Sequence, residues 1–199
     1  MPIEISEREP GRGAITPQEQ SRLLPSLSSR AQLNEIERLN IHAARVWAMR
    51  GPVLQKGDLL TEAFSRELHR RMFNAVWRGA GRYRTTKRDP GWEPARIAEG
   101  VRMFFDDAEG WIRFSTYPVH EVAVRLHHRL VSIHPWENGN GRHARLIADI
   151  VVASQGEKAL TWGSRLGASG TGSGRERYIG AVRAADAGDM AALVDFARS

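Results

Sequence analysis

"IHPWENGNGRHARL" occupies residues 133–146. The twelve residues from His134 to Arg145 combine a His-Pro pair, two asparagines interleaved with two glycines, and two arginines. The stretch then runs straight into the apolar series "RLIADIVV". Turns use Gly and Asn, and surfaces use Arg, but few turns need all of this at once. Pro135 has no amide hydrogen and a fixed φ, so it stiffens the corner after a helix that ends at Ile133. Gly139 and Gly141 let the backbone approach a ligand closely and adopt shapes closed to other residues. The helix that starts near Gly139 points its first amides outward without partners, and with its dipole they form an anion site. Arg142 and Arg145 are three apart and project from one side of the first turns. Guanidinium groups suit the paired hydrogen bonds that phosphate accepts. The sum reads as a pocket for a di- or triphosphate. His134, at its lip, can take a proton from a hydroxyl at neutral pH. A base beside a held phosphate chain points to phosphoryl or nucleotidyl transfer, in which the protein mainly positions groups and stabilises charge. A plain helix–loop–helix corner explains each residue singly, but not the set.

The flanks set this stretch on a helical scaffold. Leu33, Ile36, Val46 and Trp47 mark an apolar stripe that Gly51-Pro52 ends. Leu60, Phe64, Leu68, Met72 and Val76 recur at every fourth position, a strong helix signal. Further helices are expected over 95–105 and 118–133, and from Gly139 onward. The last is central, because its second half is apolar nearly all round. Two closing helices cross 177–197, broken near Gly188. "GAGRYRTTKRDPGWEP" (79–94) interrupts the pattern. Tyr83 to Arg88 reads as extended and Pro90-Gly91 as a tight turn, so a short hairpin is expected. "GASGTGSGRER" (167–177) reads as a flexible loop; it approaches a dinucleotide fingerprint but lacks the preceding strand. The expected fold is all-α, a helical bundle with one short β-hairpin. The expected organisation is a flexible arm over 1–28, an N-terminal helical region over 29–58 with a possible regulatory role, and the main domain over 59–199.

Composition narrows the classes. The chain has no Cys, which excludes disulfides and thiolate metal sites. The N-terminal twenty residues are polar, and no window approaches a membrane span, so a cytoplasmic chain is expected. Of 29 basic residues all but Lys56, Lys87 and Lys158 are Arg, and the net charge is +6. That balance permits nucleotide or nucleic-acid binding. An Arg-rich composition accounts for it as well, and nucleic acid is not an expected partner. His127-His128 read as packing or surface, and His143 as facing solvent. Trp77, Trp92 and Trp111 read as core or hairpin anchors.

These residues together resemble the Fic-domain motif, H-P-F-x-D/E-G-N-G/K-R-x-x-R, written here H-P-W-E-N-G-N-G-R-H-A-R. The match covers His134, Pro135, Gly139, Asn140, Gly141, Arg142 and Arg145. "LHHRLVSIHPW" and "ARLIADIV" are similar to the helices flanking the Fic loop, "VWRGAGRYRTTK" to the upstream flap and "YIGAVRAADAGDMAALVDF" to the closing helices. The likeness spans residues 60–197 and is strongest to the small bacterial Fic proteins called mobile mystery protein B. The resemblance implies a Fic-type bundle with a hairpin flap and protein adenylyltransferase activity, moving AMP from ATP to a Tyr, Ser or Thr hydroxyl of a target protein. It implies His134 as general base and Asn138, Gly139, Asn140, Gly141, Arg142 and Arg145 as the nucleotide-binding set. Within that set Asn140 and the neighbouring amides hold the α-phosphate and Arg142 the β-phosphate. Arg145 reaches the γ-phosphate or pairs with an inhibitory glutamate. Thr85, Thr86, Lys87 and Arg88 would dock the target by strand addition. Trp136 replaces Phe and should anchor the loop in the core. A mobile-element setting with a helix-turn-helix partner and a toxin–antitoxin-like pairing is also implied.

Asn138 departs from the pattern. Most active family members carry Asp or Glu there as a magnesium ligand, and a neutral amide serves a hard cation less well. Either phosphate and water hold the Mg2+, or the reaction differs: a Fic-fold phosphotransferase, a de-AMPylating hydrolase, or a catalytically impaired partner module. Many Fic proteins also carry an inhibitory S/T-x-x-x-E-G/N helix. "SSRAQLNEIERLN" does not match it, yet Glu35 and Glu37 on this helix are candidates to approach Arg145, against an ordinary solvated face.

Overall fold

The computed structural model of the chain describes residues 21–24, 29–164 and 173–199. The rest of the expected arm, and the expected loop through residue 172, lie outside the described residues. Helix α1 (Arg30–Ala48) starts where Ser29 Oγ accepts the Gln32 amide at 3.2 Å. A single turn, α2 (Gly51–Leu54), follows. Helix α3 (Glu62–Phe73) is capped by Thr61, whose Oγ1 accepts the Phe64 amide at 3.1 Å. Each such cap contributes about 1 kcal/mol. A 3₁₀ turn (Pro94–Arg96) leads into α4 (Ile97–Arg113). Helices α5 (Val119–Ile133), α6 (Asn140–Ser154), α7 (Ser173–Asp186) and α8 (Ala191–Arg198) complete the described elements.

The all-α reading holds. Helix α6 is the axis, buried along most of its length from His143 to Val152. Helix α5 runs beside α6, α4 packs on α5, α1 on α3, and α8 on α7 and α5. The site therefore lies where the axial helix begins, at the α5–α6 corner. Among the described residues no helix is long and apolar enough to cross a membrane.

Three local expectations are corrected. The 83–94 segment forms no hairpin; among the described residues the one β pairing is an isolated bridge, Leu23 with Trp77. The reason is visible in Arg84, whose guanidinium takes the carbonyls of Thr86 and Trp92 that a strand ladder would need. Helix α4 continues past Phe105 to Arg113, because Asp106 and Asp107 fall on its exposed side while Ala108 extends the buried stripe. Ser173 to Arg177, read as the end of a loop, form the first turn of α7.

Candidate active site

His134 ends α5 in the left-handed conformation, φ 53° and ψ 60°. For a non-glycine residue that costs about 1–2 kcal/mol, so neighbours must hold it. Its amide donates to Leu130 O at 3.1 Å, and its carbonyl accepts Arg84 Nε at 2.5 Å. Burial lowers the imidazole pKa below its ordinary value. The positive charges of Arg84 and Arg88 act in the same direction, and the Val131 carbonyl opposes them. His134 is neutral at pH 7. Its Nδ1 is buried, which leaves Nε2 to accept a proton.

The loop that follows is closed by its own side chains. Asn140 Oδ1 accepts the Trp136 amide and Asn140 Nδ2 donates to the Trp136 carbonyl, both at 2.8 Å. The Asn140 amide group is thus engaged in shaping the loop. Gly139 is left-handed, φ 77°, and a Cβ there would lie 2.3 Å from Phe73 Cζ. At Gly141 a Cβ would meet nothing within 4 Å, so open space faces the first turn of α6. The first amide of this helix to bond back is His143, to Gly139 O at 2.9 Å. The amides of Asn140, Gly141 and Arg142 precede it and point outward, as helix geometry requires.

Beneath the loop lies a layer of aromatic rings that the sequence did not disclose. Trp136 is fully buried, as the anchoring role required, and stacks on His69 with centroids 4.1 Å apart. His69 Nδ1 accepts the Gly81 amide at 2.9 Å, so its Nε2–H donates to the Asn138 carbonyl at 3.1 Å. One neutral imidazole therefore joins the 79–94 segment to the 134–139 loop. Burial, then His143, drive its pKa well below 6.5. His143, expected in solvent, is fully buried. Its Nε2 donates to Ser65 O at 3.0 Å and its Nδ1 accepts Trp136 Nε1 at 3.2 Å. Burial lowers its pKa to about 4, against the opposing pull of the Ser65 carbonyl. A clue was present: Ser65, His69 and Phe73 form a second four-residue stripe beside the apolar one of α3. His127 and His128 are also buried, His127 against Tyr178 Oη at 3.1 Å and His128 against Asp186 at 2.7 Å.

The two motif arginines do not converge. Arg142 Nη1 meets Glu37 Oε2 at 2.5 Å, and its guanidinium lies 4.9 Å from the Phe73 ring centroid. Arg145 turns to other partners, with its guanidinium 4.9 Å from Tyr178 and 5.9 Å from Trp162. Glu37 is 2% exposed and also accepts Trp77 Nε1 at 2.8 Å. The α1 glutamate thus reaches the motif, but at Arg142 instead of Arg145. Trp77 fixes the carboxylate on the α3 side of the loop, away from α7. Glu35 is the solvated residue of the pair, bonded to Arg38.

Glu137 gathers three segments. Its carboxylate accepts Thr86 Oγ1 at 3.1 Å and pairs with Arg88 at 3.0 Å and Arg22 at 3.1 Å. Burial alone would raise its pKa; Arg88, Arg22 and Thr86 together outweigh that and hold it below the usual value. Thr85 is exposed, and Lys87 pairs with Glu93 at 2.8 Å. This arrangement does not fit a magnesium site. Asn138 offers only a neutral amide, Glu137 is turned to its arginines, and the described residues contain no cluster of three or more potential ligands.

A histidine that ends one helix and a self-closed loop that begins the next characterise this corner of the helical bundle. Residues 59–152 match the model of the Fic/DOC family. The protein adenylyltransferase Fic of Culex quinquefasciatus is 27% identical over 168 residues, 82% of this chain and 31% of its own length. The solved Fic-1 of Caenorhabditis elegans (residues 134–508) superposes with TM-score 0.69 at 25% identity, over 91% of this chain and 52% of that one. The BepC protein of Bartonella tribocorum, solved with bound AMPPNP, shares the fold with TM-score 0.65 at 16% identity, over 89% of this chain and 90% of that one. The chain spans about a third of the length of the first of these relatives.

Proposed function

We propose that this site transfers AMP from ATP to a Tyr, Ser or Thr hydroxyl of a target protein. The observation that carries the reading is the His134 imidazole, its pKa lowered by burial, at the end of α5, one loop before the first amides of α6. The hydroxyl oxygen attacks the α-phosphorus as its proton passes to His134 Nε2. The bond from that phosphorus to the bridging oxygen breaks, and pyrophosphate leaves. The amides of Asn140, Gly141 and Arg142 stabilise the developing charge in a fixed orientation. Arg142 takes the β-phosphate once it has left Glu37, so Glu37 acts as a brake supplied by α1. Arg145 has no part in the step while it stacks on Tyr178. Thr85 to Arg88 receive the target segment. No step is routed through a metal, since the residues present do not hold one. The adenylyltransferase name of the Culex relative and the AMPPNP bound in BepC support a nucleotide donor. The Asn138 pattern supports a mobile-element Fic protein with a helix-turn-helix partner, which co-purification would test.

Intact-protein mass spectrometry decides the chemistry. Wild type and His134→Ala are incubated with ATP, with and without magnesium, alone and with candidate targets. One AMP gained by wild-type reactions only is the expected result. A gain of one phosphate replaces this reading with phosphotransfer, the alternative that Asn138 favours. Equal labelling by His134→Ala removes His134 as the base.

A further inference from the structure

Arg84 is a buried cation whose role the motif does not explain. It is 2% exposed. A guanidinium removed from water costs several kcal/mol unless its donors are satisfied. Arg84 satisfies them with main-chain carbonyls: Nε to His134 O at 2.5 Å, Nη1 to Thr86 O at 2.6 Å, and Nη2 to Trp92 O at 2.5 Å and Ile133 O at 3.2 Å. The Ile133 and His134 carbonyls end α5, where the helix dipole places partial negative charge. Thr86 and Trp92 belong to the flap segment. The backbone adds Arg84 N to Pro135 O at 2.9 Å and Trp92 N to Ile133 O at 3.1 Å. Gly91 completes the contact: a Cβ there would lie 2.7 Å from Arg84 Nη2 and 3.2 Å from His134 Cβ. A left-handed histidine persists only where its surroundings over-determine it, and these contacts do so.

We propose that Arg84 is the positioning residue for the general base, holding the flap segment and the His134 carbonyl on one guanidinium so that the imidazole keeps its direction. The inference rests on His134 acting as the base, as above. The groups that face His134 are Arg84 and Arg88 from the flap segment and the Val131 carbonyl from α5. Glu137 and Glu93 act on Arg84 in turn. Removing the Arg84 charge therefore raises the imidazole pKa as well as freeing its direction.

The test is an NMR titration of His134 in the full chain, run beside the pH dependence of kcat for AMP transfer. Arg84→Met should move the His134 titration and the acid limb of kcat to higher pH. It should lower kcat roughly a hundredfold, the scale of a small misplacement of a reacting group. KM for ATP should stay near wild type, because Arg84 touches no group at the start of α6. Arg84→Lys keeps the charge and loses the fork, so kcat should fall while the titration shifts less. A role confined to stability would lower the folded fraction and leave the His134 titration of the folded molecules unchanged, which would overturn the proposal. If Arg84→Met does not fold, Gly91→Ala decides. It presses a methyl on Nη2 without changing any charge, and wild-type titration with wild-type kcat would overturn the proposal. A wild-type chain that transfers no AMP defeats the proposed function instead; the titrations still report whether Arg84 governs His134.

Discussion

Replacing Gly139 by Ala tests the claim that the start of α6 is built on Phe73. Two costs add. At φ 77° an alanine carries the left-handed penalty, about 1–2 kcal/mol. The new Cβ also falls 2.3 Å from Phe73 Cζ and 2.5 Å from Cε2. The ring has little room to retreat: Phe73 is fully buried, with His69 4.7 Å away and the Arg142 guanidinium 4.9 Å away. Overpacking of that kind costs about 1–3 kcal/mol. The expected total is therefore about 2–5 kcal/mol. For a chain of this length that lowers Tm by roughly 5–15 °C. Urea unfolding of wild type, Gly139→Ala, Phe73→Leu and the double variant separates the two parts. Phe73→Leu makes room for the methyl but leaves φ unchanged. The double variant should be more stable than additivity allows, by about 1–3 kcal/mol. Additivity within about 0.5 kcal/mol would refute the clash, and a Gly139→Ala loss under about 1 kcal/mol would refute the φ penalty as well.

Other outcomes follow from the same geometry. Glu37→Gln should raise ATP affinity and transfer rate several-fold, read by calorimetry and labelling; weaker ATP binding would show that the pair with Arg142 assists the nucleotide. Stability should fall in acid. The folded pKa values of His143 (about 4), His69 and His134 all lie below the unfolded value of 6.5, so their contribution is complete above 6.5 and drains away as pH falls. His143 alone accounts for about 3 kcal/mol by pH 4, and urea midpoints unchanged between pH 7 and 4.5 would contradict the burial argument. ATP affinity of the wild type should change little when magnesium is chelated, whereas Asn138→Asp should make binding magnesium-dependent; strict magnesium dependence in the wild type would mean that another donor was overlooked. Trp136→Phe should cost about 1–3 kcal/mol by leaving His143 Nδ1 without its donor, measured by thermal unfolding, and a neutral result would make that hydrogen bond dispensable.

The helices were legible because each buries one stripe. Leu60 through Val76 at four-residue spacing located α3, and the apolar second half of α6 announced its central place. The loop could be read as a candidate anion site because Gly, Asn, Arg and a helix start coincide within it, and the structure does start α6 at Asn140. What failed was tertiary. The segment looked like a hairpin because Tyr83, Thr85 and Thr86 favour strands and Pro90-Gly91 suits a turn, and local pattern cannot show that one arginine will take the carbonyls of that strand. His143 looked solvent-facing because its partners, Trp136 and Ser65, come from the loop and from a helix far upstream. Glu35 and Glu37 were candidates for Arg145 against a solvated face; that Glu37 alone turns inward, and to Arg142, depends on Trp77, whose Nε1 holds the same carboxylate. Sequence adjacency carried the chemistry of the loop; the layer beneath it is made of contacts distant in the chain.

The pair of Glu37 and Arg142 has a thermodynamic consequence. One edge of a guanidinium cannot hold a carboxylate and a phosphate together, so under the proposed function α1 and a phosphate taken by Arg142 compete for a single seat. Competition of this kind is reciprocal. A change that weakens the docking of α1 by a given factor strengthens anion binding by the same factor, and a bound anion loosens α1 equally. Amide hydrogen exchange along α1 would therefore respond to nucleotide concentration, although α1 lies outside the matched 59–152 span. The N-terminal helix becomes a gauge of occupancy, one that can be read without watching the reaction.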